Sequence, residues 1–154
     1  MPDESVLAQL LPQLTRLSNL LGRGRLYERA RAGAGVMLER PGMTILLILN
    51  AADDPLRVGE IANRMQVEGP HVTRQVQVLE KDGLVERVVD PADARARLIA
   101  LTSRGQDVAT QYLAVVLGWF AEALADWPAA DRDDLSRLLA RMVDDLSTYI
   151  GSLD

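Results

Sequence analysis

Between Leu56 and Gly105 the hydrophobic period changes within one short stretch, and that change restricts the chain to few folds. Val58, Ile61, Ala62 and Met65 recur at helical spacing over two turns. After a connection from Gln66 to Gly69, Val72, Val76 and Leu79 lie at i, i+4 and i+7 and predict a second helix from Pro70 to Lys81. Proline suits the first helical position, where its missing N–H has no helical partner. Asp82-Gly83 then supplies a left-handed stop. The next segments, Leu84-Val85-Glu86-Arg87-Val88-Val89 and Leu98-Ile99-Ala100-Leu101, are strand-like and β-branched, joined by a polar loop from Asp90 to Arg97. Two short helices followed by an antiparallel hairpin make a winged helix-turn-helix.

The flanks are helical. Residues 4 to about 31 read as one long amphipathic helix with Val6, Leu7, Leu10, Leu14, Leu17 and Leu21 on its stripe. Pro12 is expected to kink or restart it, and Gly33 and Gly35 close it. Met43 to Asn50 is a short apolar helix after Pro41-Gly42, and the turn Ala51-Ala52-Asp53-Asp54-Pro55 follows. Thr102 is a plausible N-cap for a helix reaching about Asp126, with Val116, Leu117, Phe120 and Leu124 along one side. A last helix from Asp131 to Tyr149 carries Leu135, Leu138, Leu139, Met142, Val143 and Leu146. The expected fold is therefore mainly α with a small β-hairpin wing: one chain over 1–154, with a winged helix-turn-helix at 56–105 between helices at 1–35 and 106–154. Those end helices carry more apolar surface than so small a module can cover. Pairing with a second copy, as a homodimer, is the simplest way to bury it.

The chemical inventory is poor for an enzyme. Cysteine is absent, and His71 and Lys81 are the single histidine and the single lysine. Thiolate and multi-histidine metal chemistry are therefore excluded within one chain, and no catalytic residue, cofactor or metal is expected. No stretch approaches the ~18 apolar residues of a membrane span, and Met1-Pro2-Asp3-Glu4 lacks the basic start of a signal peptide. A cytoplasmic address without a membrane partner is the expectation. The net charge of −5 is unevenly placed. Residues 1–56 carry six basic and six acidic groups, 57–105 eight and seven, and 106–154 three and nine. The excess acid sits in the C-terminal third, so the central segment can still present a basic face.

With Val72, Val76 and Leu79 inward, His71, Thr73, Arg74, Gln75 and Gln77 are the outward candidates of the second helix. Arginine and glutamine can make paired hydrogen bonds to guanine and adenine edges, and a threonine methyl can meet that of thymine. Standing alone, the same residues suit a solvated helix face. His71 could read a base or phosphate, sense pH, or stand by. Arg57, ahead of the first helix, fits a phosphate contact or open solvent equally.

Five motifs in this stretch recur in register: Glu60-Ile61-Ala62-Asn63-Arg64-Met65, Pro70-His71-Val72-Thr73-Arg74-Gln75-Val76-Gln77-Val78-Leu79-Glu80, Gly83-Leu84-Val85-Glu86-Arg87, Asp90-Pro91-Ala92-Asp93-Ala94-Arg95 and Leu101-Thr102-Ser103-Arg104-Gly105. Together they resemble the MarR (multiple antibiotic resistance regulator) family of winged-helix transcription regulators over about 50 residues. The resemblance implies a homodimer bound to an inverted repeat in double-stranded DNA, in the role of a repressor. It also implies that Arg95 enters the minor groove with Asp93 orienting it, which suits a weakly hydrated guanidinium. Arg97 shares that role or is a bystander. A small aromatic or phenolic effector is a further implication, with Arg16, Arg23, Met43 and Tyr112 as candidate contacts that packing or solvent exposure would also explain. The chain departs from the pattern at Glu68, where a capping serine is usual, at Gly69, at Ala94, where a second arginine is common, and around Met43-Thr44. Those departures and the acidic balance motivate an alternative, a winged-helix protein-interaction module that does not bind DNA.

Overall fold

The apolar residues between Leu56 and Leu101 close on one another as their spacing requires. The computed structural model describes residues 4–22 and 24–153. Its order is α1 (Glu4–Gly22), α2 (Gly24–Gly33), α3 (Arg40–Ala51), α4 (Val58–Met65), α5 (Gly69–Lys81), β1 (Val85–Asp90), β2 (Asp93–Leu101), α6 (Ser103–Ala123) and α7 (Ala129–Gly151). Residues 1–116 form one compact unit and 117–154 a second. The fold is mostly helical with a two-stranded antiparallel wing.

The core of the first unit draws on every element around the helix pair. Ile45 and Leu46 come from α3, Ile61 from α4, Val72, Val76 and Leu79 from α5, and Leu84 and Ile99 from the wing, all 0–1% exposed. Each such aliphatic side chain contributes roughly 1.5–3 kcal/mol by leaving water. Val58 and Met65, the outer members of the α4 stripe, are half-buried against the same cluster.

A knot of backbone contacts joins the end of α5, the foot of the wing and the start of α6. Gly83, with φ +71, turns the chain out of α5 in the left-handed region that glycine enters freely. The Thr102 N–H donates to the Leu84 carbonyl (3.1 Å). The Thr102 hydroxyl donates to the Gly83 carbonyl (2.7 Å) and accepts the Gly105 N–H (3.0 Å), which caps α6. Arg104 adds a bond to the Asp82 carbonyl (2.8 Å). Gly105 lies so close to the Leu84 carbonyl that a Cβ would overlap it.

Three expectations change. Pro12 does not restart the first helix. α1 continues through Pro12, whose ring forfeits only the bond to the Ala8 carbonyl, and α2 is described from Gly24 to Gly33. α6 stops at Ala123, short of Asp126, whereas α7 is longer than expected at both ends. The wing is also more fully paired than a loop over 90–97 implies: pairing runs from Val85↔Leu101 to Val89↔Arg97, then jumps to Asp90↔Asp93. Residues 94–96 therefore stand outside the ladder as a bulge.

The second unit has little interior of its own. Leu135, Leu138, Leu139, Val143 and Leu146 of α7 are 40–52% exposed, and no described residue of α7 is buried. In the first unit the α1 leucines at 7, 10, 11, 17, 20 and 21 are likewise exposed. Among the described residues, no helix is long and apolar enough to cross a membrane.

The close approach at Gly105 separates two otherwise similar substitutions. Gly105→Ala should lower the thermal midpoint sharply or prevent folding, because backbone must move. Gly59→Ala, in open space within α4, should raise stability by about 0.5–1 kcal/mol through helix propensity. Thermal and urea melts of both variants check this; equal effects would remove the steric reading of Gly105.

Candidate nucleic-acid interface

The turn that delivers α5 is tight. Gln66 adopts a left-handed conformation (φ 56), uncommon without glycine, and its amide side chain donates to the Asn63 carbonyl (2.7 Å). The Val67 N–H closes on the Ala62 carbonyl (3.1 Å). Glu68 is the N-cap residue in extended backbone, and its carboxylate makes no cap hydrogen bond. Pro70 sits in the first turn, so α5 starts at Gly69 with no side-chain cap.

With its buried stripe fixed, α5 presents Arg74 and Gln77 as exposed side chains and His71, Thr73 and Gln75 as half-buried ones. The Thr73 hydroxyl donates to the Gly69 carbonyl (3.1 Å), which leaves its methyl as the outward group. The Arg74 guanidinium has no protein partner among the described residues. A helix edge with free Arg and Gln donors above a rigid apolar base can read base edges.

On the wing, Asp93, Arg95 and Arg97 are exposed. The Asp93 carboxylate accepts the backbone N–H of Arg95 (3.0 Å) and shapes the turn, and the Arg95 guanidinium has no protein partner among the described residues. Arg97 folds back, with Nη1 donating to the Ala94 and Ala96 carbonyls (both 3.0 Å). Arg87 on β1 pairs with Glu80 on α5 (3.2 Å), which ties wing and helix together at the surface. Arg57 is half-exposed and is gripped by the wing: its Nε (3.0 Å) and Nη2 (2.5 Å) both donate to Asp90 Oδ2.

Asp90 is the residue that the sequence reading passed over. It is 7% exposed, the one buried charged side chain among the described residues. Its other oxygen accepts the Ala92 N–H (2.8 Å). That bond and the Arg57 guanidinium hold the carboxyl below the usual aspartate range. The available signal was an aspartate ending a β-branched strand just before Pro91.

Three of the candidate effector contacts lie among the described residues. Met43 is 1% exposed and belongs to the core, so it offers no surface to a ligand. Arg16 is exposed on α1 and donates to Gln13 (3.3 Å), and Arg23 lies outside the described residues. Tyr112 is half-buried with its ring 6.2 Å from that of Tyr27. Tyr27 donates to the Leu38 carbonyl (2.5 Å) and lies under the Arg40 guanidinium at 5.5 Å, and burial pushes its hydroxyl up to about 12. Among the described residues no cluster of His, Asp or Glu side chains is placed to hold a metal.

Known proteins share this arrangement. Residues 38–96 match the sequence profile of the MarR family. The chain is 29% identical over 98 residues to the HTH-type transcriptional regulator YxaD of Bacillus subtilis, covering 62% of this chain and 68% of that one. It is 27% identical over 135 residues to YdgJ of the same organism, covering 88% and 77%. A MarR family protein from Bacillus stearothermophilus superposes with a TM-score of 0.77 at 22% identity, over 96% of this chain and 99% of the other. An S. aureus MepR mutant bound to an oligodeoxyribonucleotide superposes with a TM-score of 0.58 at 21% identity, over 86% and 97%.

The lowered Asp90 pKa gives a signed pH dependence. A carboxyl depressed by folding contributes stability at pH values above its unfolded pKa, near 3.8, and loses it as the pH falls through the folded value. The melting temperature of the wild type should therefore exceed that of Asp90→Asn at neutral pH. The gap should close below about pH 4. A gap that is constant with pH would mean that the charge of Asp90 is not what stabilises the wing.

Proposed function

We propose that this chain, a winged-helix regulator of the MarR family, binds an inverted-repeat operator in double-stranded DNA as a homodimer and represses transcription from it. The family and fold make it a DNA-binding transcriptional regulator in general terms. The observation that carries the finer reading is the outward edge of α5, where Arg74 and Gln77, without partners among the described residues, lie above a fully buried stripe. Arg74 and Gln77 take the role of base readers in the major groove, flanked by His71, Thr73 and Gln75. Arg95, free at the wing bulge, takes the minor groove, with Asp93 shaping its turn and Arg97 beside it. The likeness in fold to an S. aureus MepR mutant bound to an oligodeoxyribonucleotide supports DNA as the partner.

The exposed apolar faces of α1 and α7 support pairing with a second copy. Two recognition helices related by a two-fold axis then meet successive major grooves about 34 Å apart, which is why the operator is an inverted repeat. A small aromatic or phenolic molecule is the effector class that this reading carries, and the paired rings of Tyr27 and Tyr112, with Arg40 over Tyr27, support it. The rival reading, a protein-interaction module, draws support from Glu68 at the head of α5 and from Val78, 52% exposed on the same helix.

Selection of fragmented source-genome DNA by the purified protein at about 150 mM salt, where nonspecific phosphate binding is suppressed, tests the proposal. Recovery of a common inverted repeat is the expected result, and no enrichment by a folded dimer would favour the protein-interaction module. On the recovered site, Arg74→Ala should cost about 1–3 kcal/mol and relax preference at one base position per half-site. Arg95→Ala should weaken binding across sequences. Unchanged affinity in both variants would overturn the assignment of this face.

A further inference from the structure

We propose that Arg57 is a positioning residue for DNA binding: paired with Asp90, it fixes the wing against the helix-turn-helix and does not itself contact phosphate. The proposal rests on the DNA-binding reading above and extends it to how the two groove-reading elements are held in one geometry.

Arg57 is the N-cap residue of α4 and is anchored through its backbone as well as its side chain. Its N–H donates to Glu60 Oε2 (2.7 Å), and its carbonyl accepts the N–H groups of Glu60 (3.0 Å) and Ile61 (3.1 Å). The preceding residue, Leu56, exchanges both backbone hydrogen bonds with Ile99 of β2 (3.1 and 2.7 Å). The segment 56–57 therefore grips the hairpin twice: by main chain at Ile99, and by the Arg57–Asp90 pair at the far end of β1.

The second grip lies at a weak point of the wing. Past Val89↔Arg97 the ladder breaks, and residues 94–96, including Arg95, stand in the bulge. Asp90 is where pairing resumes, opposite Asp93, and the Asp93 carboxylate sets the backbone of Arg95. A chain of bonds thus runs from the first turn of α4 through Arg57, Asp90 and Asp93 to the arginine that enters the minor groove. Nε and Nη2 of Arg57 lie in the plane that would face a phosphate fork, and Asp90 holds both. Released from that grip, the tip would pivot about Val89, and Arg95 would lose a defined position.

Electrostatics and positioning predict opposite signs, which makes the test sharp. Asp90→Asn removes a negative charge near DNA; without a positioning role, affinity should rise or stay level. The positioning role predicts a loss of roughly tenfold. Arg57→Lys keeps the charge but cannot reproduce the paired grip. It should fail nearly as badly as Arg57→Ala. Affinities and hydroxyl-radical footprints are measured on the double-stranded fragment recovered by selection, with thermal melts to confirm folding. Both variants should lose minor-groove protection under the wing while the major-groove protection under α5 persists, a split that general destabilisation would not produce. Wild-type affinity and footprint in Asp90→Asn and Arg57→Lys would overturn the proposal. So would an Arg57→Lys that binds normally beside an Arg57→Ala that does not, since that pattern marks a direct phosphate contact. Arg57 is half-exposed, so the lysine variant keeps the comparison open if Asp90→Asn unfolds. Absence of any wild-type footprint would instead remove the DNA-binding reading, and this proposal with it.

Discussion

The contact between the Leu84 carbonyl and the backbone of Thr102 and Gly105 is the constraint on which the rest of the first unit depends. It brings the end of α5, the feet of both strands and the start of α6 to one point. No side chain larger than hydrogen fits at 105, and the Thr102 hydroxyl serves two elements at once, as donor to Gly83 and acceptor from Gly105. The direction in which the wing leaves α5 is set here by backbone groups that cannot be repacked individually. Hydrophobic burial holds the layers together, but it is non-directional, and the angle between helix and wing needs bonds with geometry.

From that fixed foot outward, the wing relies on a graded series of attachments. Near the foot the strands pair in regular register, and Ile99 is fully buried and bridged to Leu56. Halfway, Arg87 meets Glu80 at the surface, a pair partly screened by solvent and of little weight by itself. At the tip the Arg57–Asp90 pair, the Asp93 turn and the bonds from Arg97 to the Ala94 and Ala96 carbonyls remain. The outer part of the wing is thus held by polar contacts. The part that must stay rigid is held by core packing.

Much of this was legible in the sequence because period and turn chemistry agreed. The stripe at Val72, Val76 and Leu79 is fully buried, and α4 has the bounds that its spacing predicts. Thr102 caps α6 as its position before Ser103-Arg104-Gly105 suggested. What escaped was set by partners distant in sequence. Nothing local marks Asp90 as a buried ligand for Arg57, 33 residues earlier, and nothing local separates the core role of Met43 from a cleft-facing one. The outward residues of α5 were legible as a face, while the turn of Thr73 back to its own helix depends on a side-chain rotamer that no pattern encodes.

The register jump at Val89/Asp90 has a second consequence, for solubility. A two-stranded ribbon has open hydrogen-bonding edges, and β2 is partly covered on its far side by the Leu56 bridge, which leaves the outer edge of β1 as the exposed one. That edge is short, carries Glu86 and Arg87, and ends in an irregular tip with a buried carboxylate where a flat strand would continue. An invading strand from another molecule would find few consecutive free amides before the ladder fails. The bulge that sets Arg95 forward thereby also keeps a protein with a projecting β-ribbon from stacking edge to edge with its neighbours.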